Sequence, residues 1–435
     1  MRLQEQKIKL LRVAKGLSQA EFADAIYADQ SKISKCENGL DIYTEIQLDN
    51  LKKFLGIKDM PLSDESTEVF NKKLRRLYEN IRDGRAEEAK ALHKEMARLV
   101  NLEPCDDNLP MLYRLHGAAL HIYVRNDFDT AEKEMNYLKG KLEQDMMTDE
   151  HKYHYCFNMG ALHTKRVRYE ESLECFMQAL EISKRVDFLT PKDIKRLHLG
   201  IASCYSYLSY PYRAIIYMLE TRDLHKDSSV SIFDLHFDYL LALNYIRVNE
   251  LERAEKLLGN CLIGAKSINN DEYIGMTLRN FGLLHIQSEN WDKAIDYLNQ
   301  SMGCFEKGST SYLRSLYDVV SCWAGMKKYA KAKRILDEAK NLYHNHDIYH
   351  IPFNALNDYV AVKSRISLLN QPVEYIETVA IPHFEKTYDH YLAIDYYKLL
   401  ETYNADKNVK KSLLMTDAIR KIYERCFLTN EGRKK

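Results

Sequence analysis

The chain has 435 residues, of which 46% are hydrophobic and 29% charged, and its formal net charge is zero. This length exceeds one ordinary domain, so we expect two or more folded units or a repeat array. The balanced charge excludes a generally basic nucleic-acid-binding protein, and any contact with DNA must come from a local patch.

Neither a membrane span nor a secretion signal is expected, because the sequence has no run of 18 apolar residues and no apolar core at its N-terminus. The nine cysteines are scattered and form no C-x-x-C pair. This usage indicates buried free thiols in a reducing cytoplasm. Eight prolines and 31 tyrosines suit a chain made entirely of helices.

The first 60 residues predict a small module of five helices. Residues 2–15 and 44–55, the latter capped by Thr44, form its first and fourth helices, and residues 57–60 close it. Between them lie two short helices at 17–26 and 28–39. Ser18 and Glu21 have the spacing of a capping box, Asp29 is placed to cap the next helix, and Asn38 with Gly39 ends it.

The two short helices have the size and pattern of a DNA-reading pair. Phe22 and Ile26 share one face of the first helix, and Ile33 and Cys36 share one face of the second. Short polar side chains at the N-terminus of the second helix are typical of a DNA reader. With ten basic and nine acidic side chains in residues 1–60, this module attracts DNA only weakly.

A repeat begins after the boundary at residues 61–64. Small residues recur 38 to 42 positions apart near the start of every second helix: Ala89, Ala131, Ser172, Ala214, Ala254, Ala294 and Ala332. The spacing predicts seven helix pairs at 65–345 and two degenerate pairs at 348–386 and 389–427. Such pairs stack into a right-handed α-solenoid with a concave groove. The predicted fold is therefore all-α, with a helical head at 1–62 and a repeat body at 65–429.

The head resembles the Cro/C1-type helix-turn-helix domains through Arg12, Gly16, Leu17, Ser18, Gln19, Ala23, Ile33, Ser34, Glu37, Asn38 and Gly39. The resemblance implies that Gln19 contacts phosphate and that residues matching Gln30, Ser31 and Lys35 face base edges. It also implies an ion pair between Arg12 and Glu37. The resulting DNA-contact set is Gln19, Gln30, Ser31, Lys32, Lys35 and Asn38. One departure is the run Leu40-Asp41-Ile42, where the family usually carries a basic residue for the phosphates.

The repeats resemble tetratricopeptide repeats with a period longer than ~34 residues. A Cro/C1-type head on such a body is similar to the RNPP family of peptide-sensing regulators, and most of all to its NprR branch, with Rap proteins and PlcR as relatives. The resemblance implies a cytoplasmic quorum-sensing transcription regulator. Its partners would be double-stranded operator DNA, a short signalling peptide in the groove and further copies of itself, as a dimer or tetramer. The alternative is a Rap-like protein that binds a sporulation response regulator and modulates its phosphorylation.

The first helix of each repeat pair is expected to line the groove. An Asn amide matches both backbone groups of a peptide, an Arg can take a carboxylate, and an Asp can take an amine. The candidate peptide-binding residues are Asn158, Arg196, Tyr239, Arg247, Arg279, Asn280, Arg314, Asp318, Asn354 and Asn357. The competing interpretation of each is a solvated side chain or a bond between neighbouring helices.

No catalytic or cofactor site is expected. The sequence has neither a Gly-x-Ser-x-Gly motif nor a phosphate-cradling glycine loop. His344, His346 and His350 with Asp347 are compatible in type with a metal site, but we interpret them as a polar turn between repeats. His116, His163 and His285 are interpreted as packing histidines. The prediction is a protein that is not an enzyme and needs no metal or cofactor.

Overall fold

The computed structural model describes residues 8–9, 12–13, 16–38, 40–55, 64–97, 108–143, 147–222, 231–364 and 371–426. Every regular element in these ranges is a helix, which confirms the predicted all-α class. The chain divides into two compact units, residues 1–189 and 190–435. Among the described helices, none is both long and apolar enough to cross a bilayer.

The head contains the predicted short helices as Gln19–Ala25 and Gln30–Glu37, followed by Glu45–Leu55. Ser18 and Glu21 form the predicted capping box, with Ser18 Oγ accepting from the Glu21 amide and Glu21 Oε2 from the Ser18 amide. Thr44 Oγ1 accepts from the Gln47 amide, as expected of a cap. The apolar faces meet in one core: Ile8, Phe22, Ala23, Ile26, Ile33, Cys36, Tyr43 and Leu51.

The cap at Asp29 and the boundaries of the head differ in outcome from the other predictions for this module. Asp29 precedes the second helix, but its side chain makes no capping hydrogen bond, so that part of the prediction is wrong. Most of the predicted first helix and the whole 57–60 segment lie outside the described residues, as do residues 61–63 of the proposed boundary. The division into 1–62 and 65–429 therefore stays a prediction.

The body consists of helix pairs that follow the predicted repeat. In the first unit the pairs are Asp64–Arg82 with Ala86–Ala97, Asn108–Leu120 with Phe128–Glu143, and Asp149–Lys165 with Tyr169–Ser183. In the second unit they are Pro191–Tyr207 with Pro211–Thr221, Ile232–Arg247 with Leu251–Ser267, Asp271–Gln287 with Trp291–Gly303, and Thr310–Gly325 with Tyr329–Tyr343. The last pairs are His350–Ser364 with the broken helix 371–386, and His390–Asn404 with Val409–Cys426.

The recurring small residues mark the closest approach of paired helices. All seven of them, from Ala89 to Ala332, are 0% exposed. Opposite them, a Cβ on Gly160 would meet the Phe176 ring at 2.8 Å, and one on Gly282 would meet Leu298 Cγ at 2.6 Å. The repeat spacing therefore reflects steric need at the pair interface, because larger side chains would separate the helices.

The described cysteines are free thiols, as the sequence predicts. Six of them are buried, whereas Cys175 and Cys304 are only half-buried. Burial raises the pKa of the Cys156 and Cys261 thiols to about 11. These side chains therefore pack as small neutral groups.

Candidate functional site

The second helix of the head, Gln30–Glu37, presents a polar face to solvent. Gln30, Ser31 and Lys35 are exposed, and so is Asn38 at its C-terminal end. The opposite face is anchored by Ile33 and Cys36, both 0% exposed. The predicted base-contacting side chains therefore share the free side of a helix whose other side is fixed in the core.

Arg12 ties this helix to the start of the chain. Its Nε lies 2.6 Å from Glu37 Oε1, and its second terminal nitrogen donates to Glu37 Oε2 at 3.0 Å. A third bond runs to the carbonyl of Leu17 at 2.5 Å. The predicted ion pair is thus present, and it is buried, with Arg12 9% and Glu37 1% exposed. The hydrogen bond with the Glu37 carboxylate outweighs burial and raises the pKa of Arg12.

Three of the predicted DNA contacts already have partners in the protein, the most distant being Asn38, whose Nδ2 donates to Ser34 Oγ at 3.5 Å. Gln19 Nε2 donates to Glu37 Oε2 at 2.8 Å, which orients the Gln19 amide at the start of its helix. Lys32 Nζ lies 2.8 Å from Asp41 Oδ2. Lys32 belongs to the helix Gln30–Glu37, which we call the reader helix. Its charge is neutralised by Asp41, the acidic residue at which the sequence departs from the family pattern.

The second unit brings three of the predicted peptide-binding arginines around two carboxylates, the buried Asp318 and the half-buried Asp389. We call this set the groove cluster: Arg247, Arg279, Arg314, Asp318 and Asp389. Arg279 Nε lies 2.7 Å from Asp318 Oδ2. Burial raises the pKa of Asp318, and Arg279 opposes that rise. Burial likewise raises the pKa of Asp389, against the attraction of all three arginines.

The other two arginines of the groove cluster lack a carboxylate partner at ion-pair distance in the described residues. Arg314 Nε donates to the Tyr349 hydroxyl at 2.9 Å. Arg247 donates to the Ser206 carbonyl at 2.8 Å and lies 5.1 Å from the centre of the Tyr391 ring. Neutral oxygens and a ring face therefore hold these guanidiniums, so both retain their full positive charge toward a ligand.

Solvent reaches some of the side chains around the groove cluster although protein surrounds them. The Tyr207 side chain is 41% exposed, yet the protein around it raises the pKa of its hydroxyl. Arg314 is exposed as well. Groups that solvent reaches while protein surrounds them are typical of a groove, which is the shape of a ligand site.

Asn280 has the most unusual environment among the predicted asparagines. Its side chain is 0% exposed, and neither its amide nitrogen nor its amide oxygen has a hydrogen-bond partner in the described residues. It follows Arg279 on the helix Asp271–Gln287. A buried amide without partners costs about 1–3 kcal/mol for each group left unpaired. Such a cost is expected where a ligand supplies the missing partners.

The other predicted asparagines have partners. Asn158, in the first unit, donates to the Leu115 carbonyl at 2.8 Å. Asn357 Oδ1 accepts from Lys333 Nζ at 2.8 Å, and Asn354 hydrogen bonds with Tyr375. These three match the competing interpretation, a bond between neighbouring helices, more closely than Asn280 does.

The last two candidate peptide-binding residues, Tyr239 and Arg196, each lie on the first helix of a repeat pair in the second unit. Tyr239 is 7% exposed, with its ring centre 6.2 Å from that of His236. Arg196 is half-buried on Pro191–Tyr207. The role of every predicted contact residue, on DNA or on peptide, stays a prediction.

Sequence reasoning missed the groups that surround the arginines. No motif or spacing in the sequence points to Tyr207, Tyr349, Tyr391 or Asp389. Asp389 stands directly before the helix His390–Asn404 and accepts from the Leu392 amide, so its position gave only a capping signal. No periodicity in the sequence relates it to Arg247, which lies more than a hundred residues away.

His346 fits its interpretation as part of a polar turn, and His116 fits its interpretation as a packing histidine. His346 Nδ1 accepts from the amides of Ile348 and Tyr349, which makes it a turn cap. His116 is buried between the rings of Tyr78 and His154. Among the described side chains, no group of three or more histidines, cysteines and carboxylates is arranged to hold a metal ion.

The chain was compared with protein-family models, with curated proteins and with solved structures. No family model matches it. It is 24% identical over 412 residues to the transcriptional activator NprA of Geobacillus stearothermophilus, a match that covers 90% of this chain and 98% of that protein. The predicted resemblance to the RNPP family is confirmed.

Two solved structures share the fold of this chain. A Rap protein complexed with competence and sporulation factor matches with a TM-score of 0.69 at 16% identity, covering 83% of this chain and 99% of that one. NprR in complex with its cognate peptide NprX matches with a TM-score of 0.65 at 16% identity, covering 81% and 99%. The helix-turn-helix head with tetratricopeptide-like pairs is therefore the fold of this chain.

Proposed function

We propose that this chain is a cytoplasmic transcription regulator that binds operator DNA through Gln30–Glu37 and is switched by a short signalling peptide at the groove cluster. The reader helix selects the DNA sequence, and the peptide sets the affinity. Reciprocal linkage requires that DNA, in turn, changes the affinity for peptide.

The observation that carries the proposal is the unpartnered Asn280 amide beside the groove cluster. A peptide backbone offers one donor and one acceptor per residue, which match the amide oxygen and nitrogen of Asn280. Within the part of the chain that the structure describes, Arg247 and Arg314 have no carboxylate at ion-pair distance, and they supply positive charge for a C-terminal carboxylate or an acidic side chain. The ligand chemistry that satisfies all three is an extended peptide with an anionic group.

The relatives support both halves of this proposal. NprA is a transcriptional activator, NprR is known in complex with its cognate peptide NprX, and the Rap protein is known in complex with competence and sporulation factor. The exposed polar face of the head supports DNA reading in this chain. Because the charge of residues 1–60 is almost balanced, we propose that two heads of a homodimer bind together. Two-fold related half-sites would then lie about one helical turn apart.

DNA binding is tested by selecting duplexes from a random library with the full-length chain, alone and with candidate peptides. The expected result is an enriched palindrome. Gln30→Ala with Lys35→Ala removes two base-facing groups and is expected to weaken binding to the palindrome by at least tenfold, at about 1–3 kcal/mol per contact. Lys133→Gln with Lys165→Gln, on exposed lysines outside the head, is the matched control. Equal binding by both double variants would refute the role of this helix.

Peptide binding is tested by a thermal-shift screen of short peptides encoded next to this gene. A peptide at about 100 times its Kd is expected to stabilise the chain by roughly 2.7 kcal/mol. Asn280→Ala is expected to reduce the affinity for that peptide by more than tenfold. Asn357→Ala is the control, because Lys333 already engages the Asn357 amide. If Asn280→Ala binds the peptide as the wild type does, the groove cluster is not the peptide site.

A further inference from the structure

The first repeat helix, Asp64–Arg82, carries a basic cleft outside the head. The cleft holds about 400 Å³ and is lined by Lys72, Arg75, Arg76, Glu79, Asn80, Arg85 and Glu88. Its walls thus carry four cations against two carboxylates. The helix follows the head after only eight intervening residues, a span of at most ~30 Å.

Two arginines of this cleft, Arg75 and Arg76, are available to a ligand. Arg75 and Arg76 are exposed, and within the described residues neither forms a hydrogen bond or an ion pair. Burial raises the pKa of Glu150 and the positive charge of Arg75 opposes that rise, but the two side chains form no ion pair. By contrast, Lys72 pairs with Glu68 at 2.8 Å.

Arg85 is fixed at the edge of the cleft by Asn80. Its Nε donates to Asn80 Oδ1 at 2.8 Å, and its backbone amide donates to the Asn80 carbonyl at 2.8 Å. Asn80 is itself 4% exposed. Asn80 and Asp83, whose Oδ2 lies 3.3 Å from a terminal nitrogen of Arg85, therefore hold this cation in the lining of the cleft.

We propose that this cleft binds the phosphate backbone of duplex DNA flanking the site read by the head. The proposal rests on the proposed DNA binding. Guanidinium groups donate in a fork that matches phosphate oxygens. The head needs such help, since its charge is nearly balanced and Asp41 neutralises Lys32. A phosphate contact carries no sequence information, so the cleft adds affinity and leaves selectivity to the reader helix.

The test compares Arg75→Gln/Arg76→Gln with Lys133→Gln/Lys165→Gln in the full-length chain. The two double variants remove the same charge, the first from the cleft and the second from exposed sites elsewhere in the first unit. The probe is a random-sequence duplex of about 40 base pairs, titrated by fluorescence anisotropy between about 50 and 200 mM salt. Circular dichroism confirms that each variant is folded.

The cleft variant is expected to bind roughly tenfold more weakly than the wild type at the lower salt, and to lower the slope of log affinity against log salt by about 2 for each bound chain. The control variant is expected to change the slope by less than half as much. An unchanged slope in the cleft variant overturns the proposal and leaves a carboxylate-bearing protein as the partner suited to these arginines. The proposal is also overturned if the wild-type chain fails to bind this duplex at low salt.

Failure of the cleft and failure of the reader helix give different results. Loss of the cleft alone lowers the affinity for selected and random duplexes by the same factor, so their ratio is kept. Loss of the reader contacts at Gln30 and Lys35 lowers that ratio and leaves binding to random duplex in place. A cleft variant that lowers the ratio while keeping the salt slope contradicts the assigned role.

Discussion

Arg12 and Glu37 form a two-point ion pair that joins positions 25 residues apart, with heavy-atom distances of 2.6 and 3.0 Å. The pair is buried, and Gln19 adds a third donor to the same carboxylate. One carboxylate at the end of the reader helix therefore fixes that helix, the preceding helix and the first segment of the chain relative to one another.

Replacing Glu37 with Gln is expected to destabilise the head by about 3–5 kcal/mol, because the substitution leaves the Arg12 charge buried without a counter-ion. In hydrogen–deuterium exchange of the full-length chain, protection of Gln30–Glu37 should fall by roughly a hundredfold or more. Ser18→Ala removes only a cap and should cost about 1 kcal/mol. Comparable losses in the two variants would show that the ion pair does not hold the helix.

Gly282→Ala and Gly259→Ala are expected to have opposite effects on stability. A Cβ at Gly282 meets Leu298 Cγ at 2.6 Å, so we expect a loss of about 1–3 kcal/mol from overpacking. A Cβ at Gly259 meets nothing within 4 Å, and alanine in a helix interior should gain about 0.5–1 kcal/mol. Urea unfolding followed by Trp291 and Trp323 fluorescence measures both. Shifts of the same sign would refute the close approach of this helix pair.

Two histidines of the first unit, the half-buried His93 and the buried His116, predict acid sensitivity. Burial, with the nearby charges of Arg125 and His121, lowers the pKa of His93 from its ordinary 6.5 to about 4. Burial lowers the pKa of His116 as well, helped by His154 and His151. Since the unfolded chain then binds more protons between about pH 6.5 and 4, the free energy of unfolding falls as the pH drops through that window.

Melting temperatures between pH 7.5 and 4.5 measure this dependence. His93→Phe keeps a ring that can stack on Tyr113, whose centre lies 4.7 Å away, but it cannot be protonated. The variant should lose several degrees less than the wild type over the same interval. Parallel pH profiles for the two proteins would show that His93 is not neutral in the folded state.

Arg279 and Asp318 should depend on each other for stability. Arg279→Met leaves the buried Asp318 carboxylate without its ion-pair partner, with only the longer-range charge of Arg314, and is expected to cost about 3 kcal/mol, whereas Arg279→Met with Asp318→Leu should lie within about 1 kcal/mol of the wild type. A double-mutant cycle in urea measures the coupling. Additive losses would mean that the two side chains act separately and that their 2.7 Å approach is unimportant.

The sequence predicted what local spacing determines. The capping box at Ser18 and Glu21 depends on residues three positions apart. The small residues of the repeat recur because every pair has the same steric requirement, and all seven are buried as that requirement demands. Both features repeat or stay within one turn of helix, so a single sequence reveals them.

The arrangement of the groove cluster could not be predicted in the same way. The residue types of Arg279, Asn280 and Asp318 indicated peptide chemistry, but not that Arg279 pairs with Asp318 while Asn280 is left without a partner. Those outcomes depend on how neighbouring repeats pack, and on rotamers that periodicity does not encode. Asp29 shows the same limit nearby, since a suitable capping residue made no capping bond.

The central claim is that a peptide bound beside Asn280 changes the affinity of the head for DNA. The most direct measurement is an anisotropy titration of the duplex selected by the wild-type chain, with and without saturating peptide, for the wild type and Asn280→Ala. We predict that peptide changes the wild-type Kd by at least about fivefold and leaves that of Asn280→Ala unchanged. A peptide that binds the wild type tightly and leaves its Kd for DNA unaltered would contradict the account.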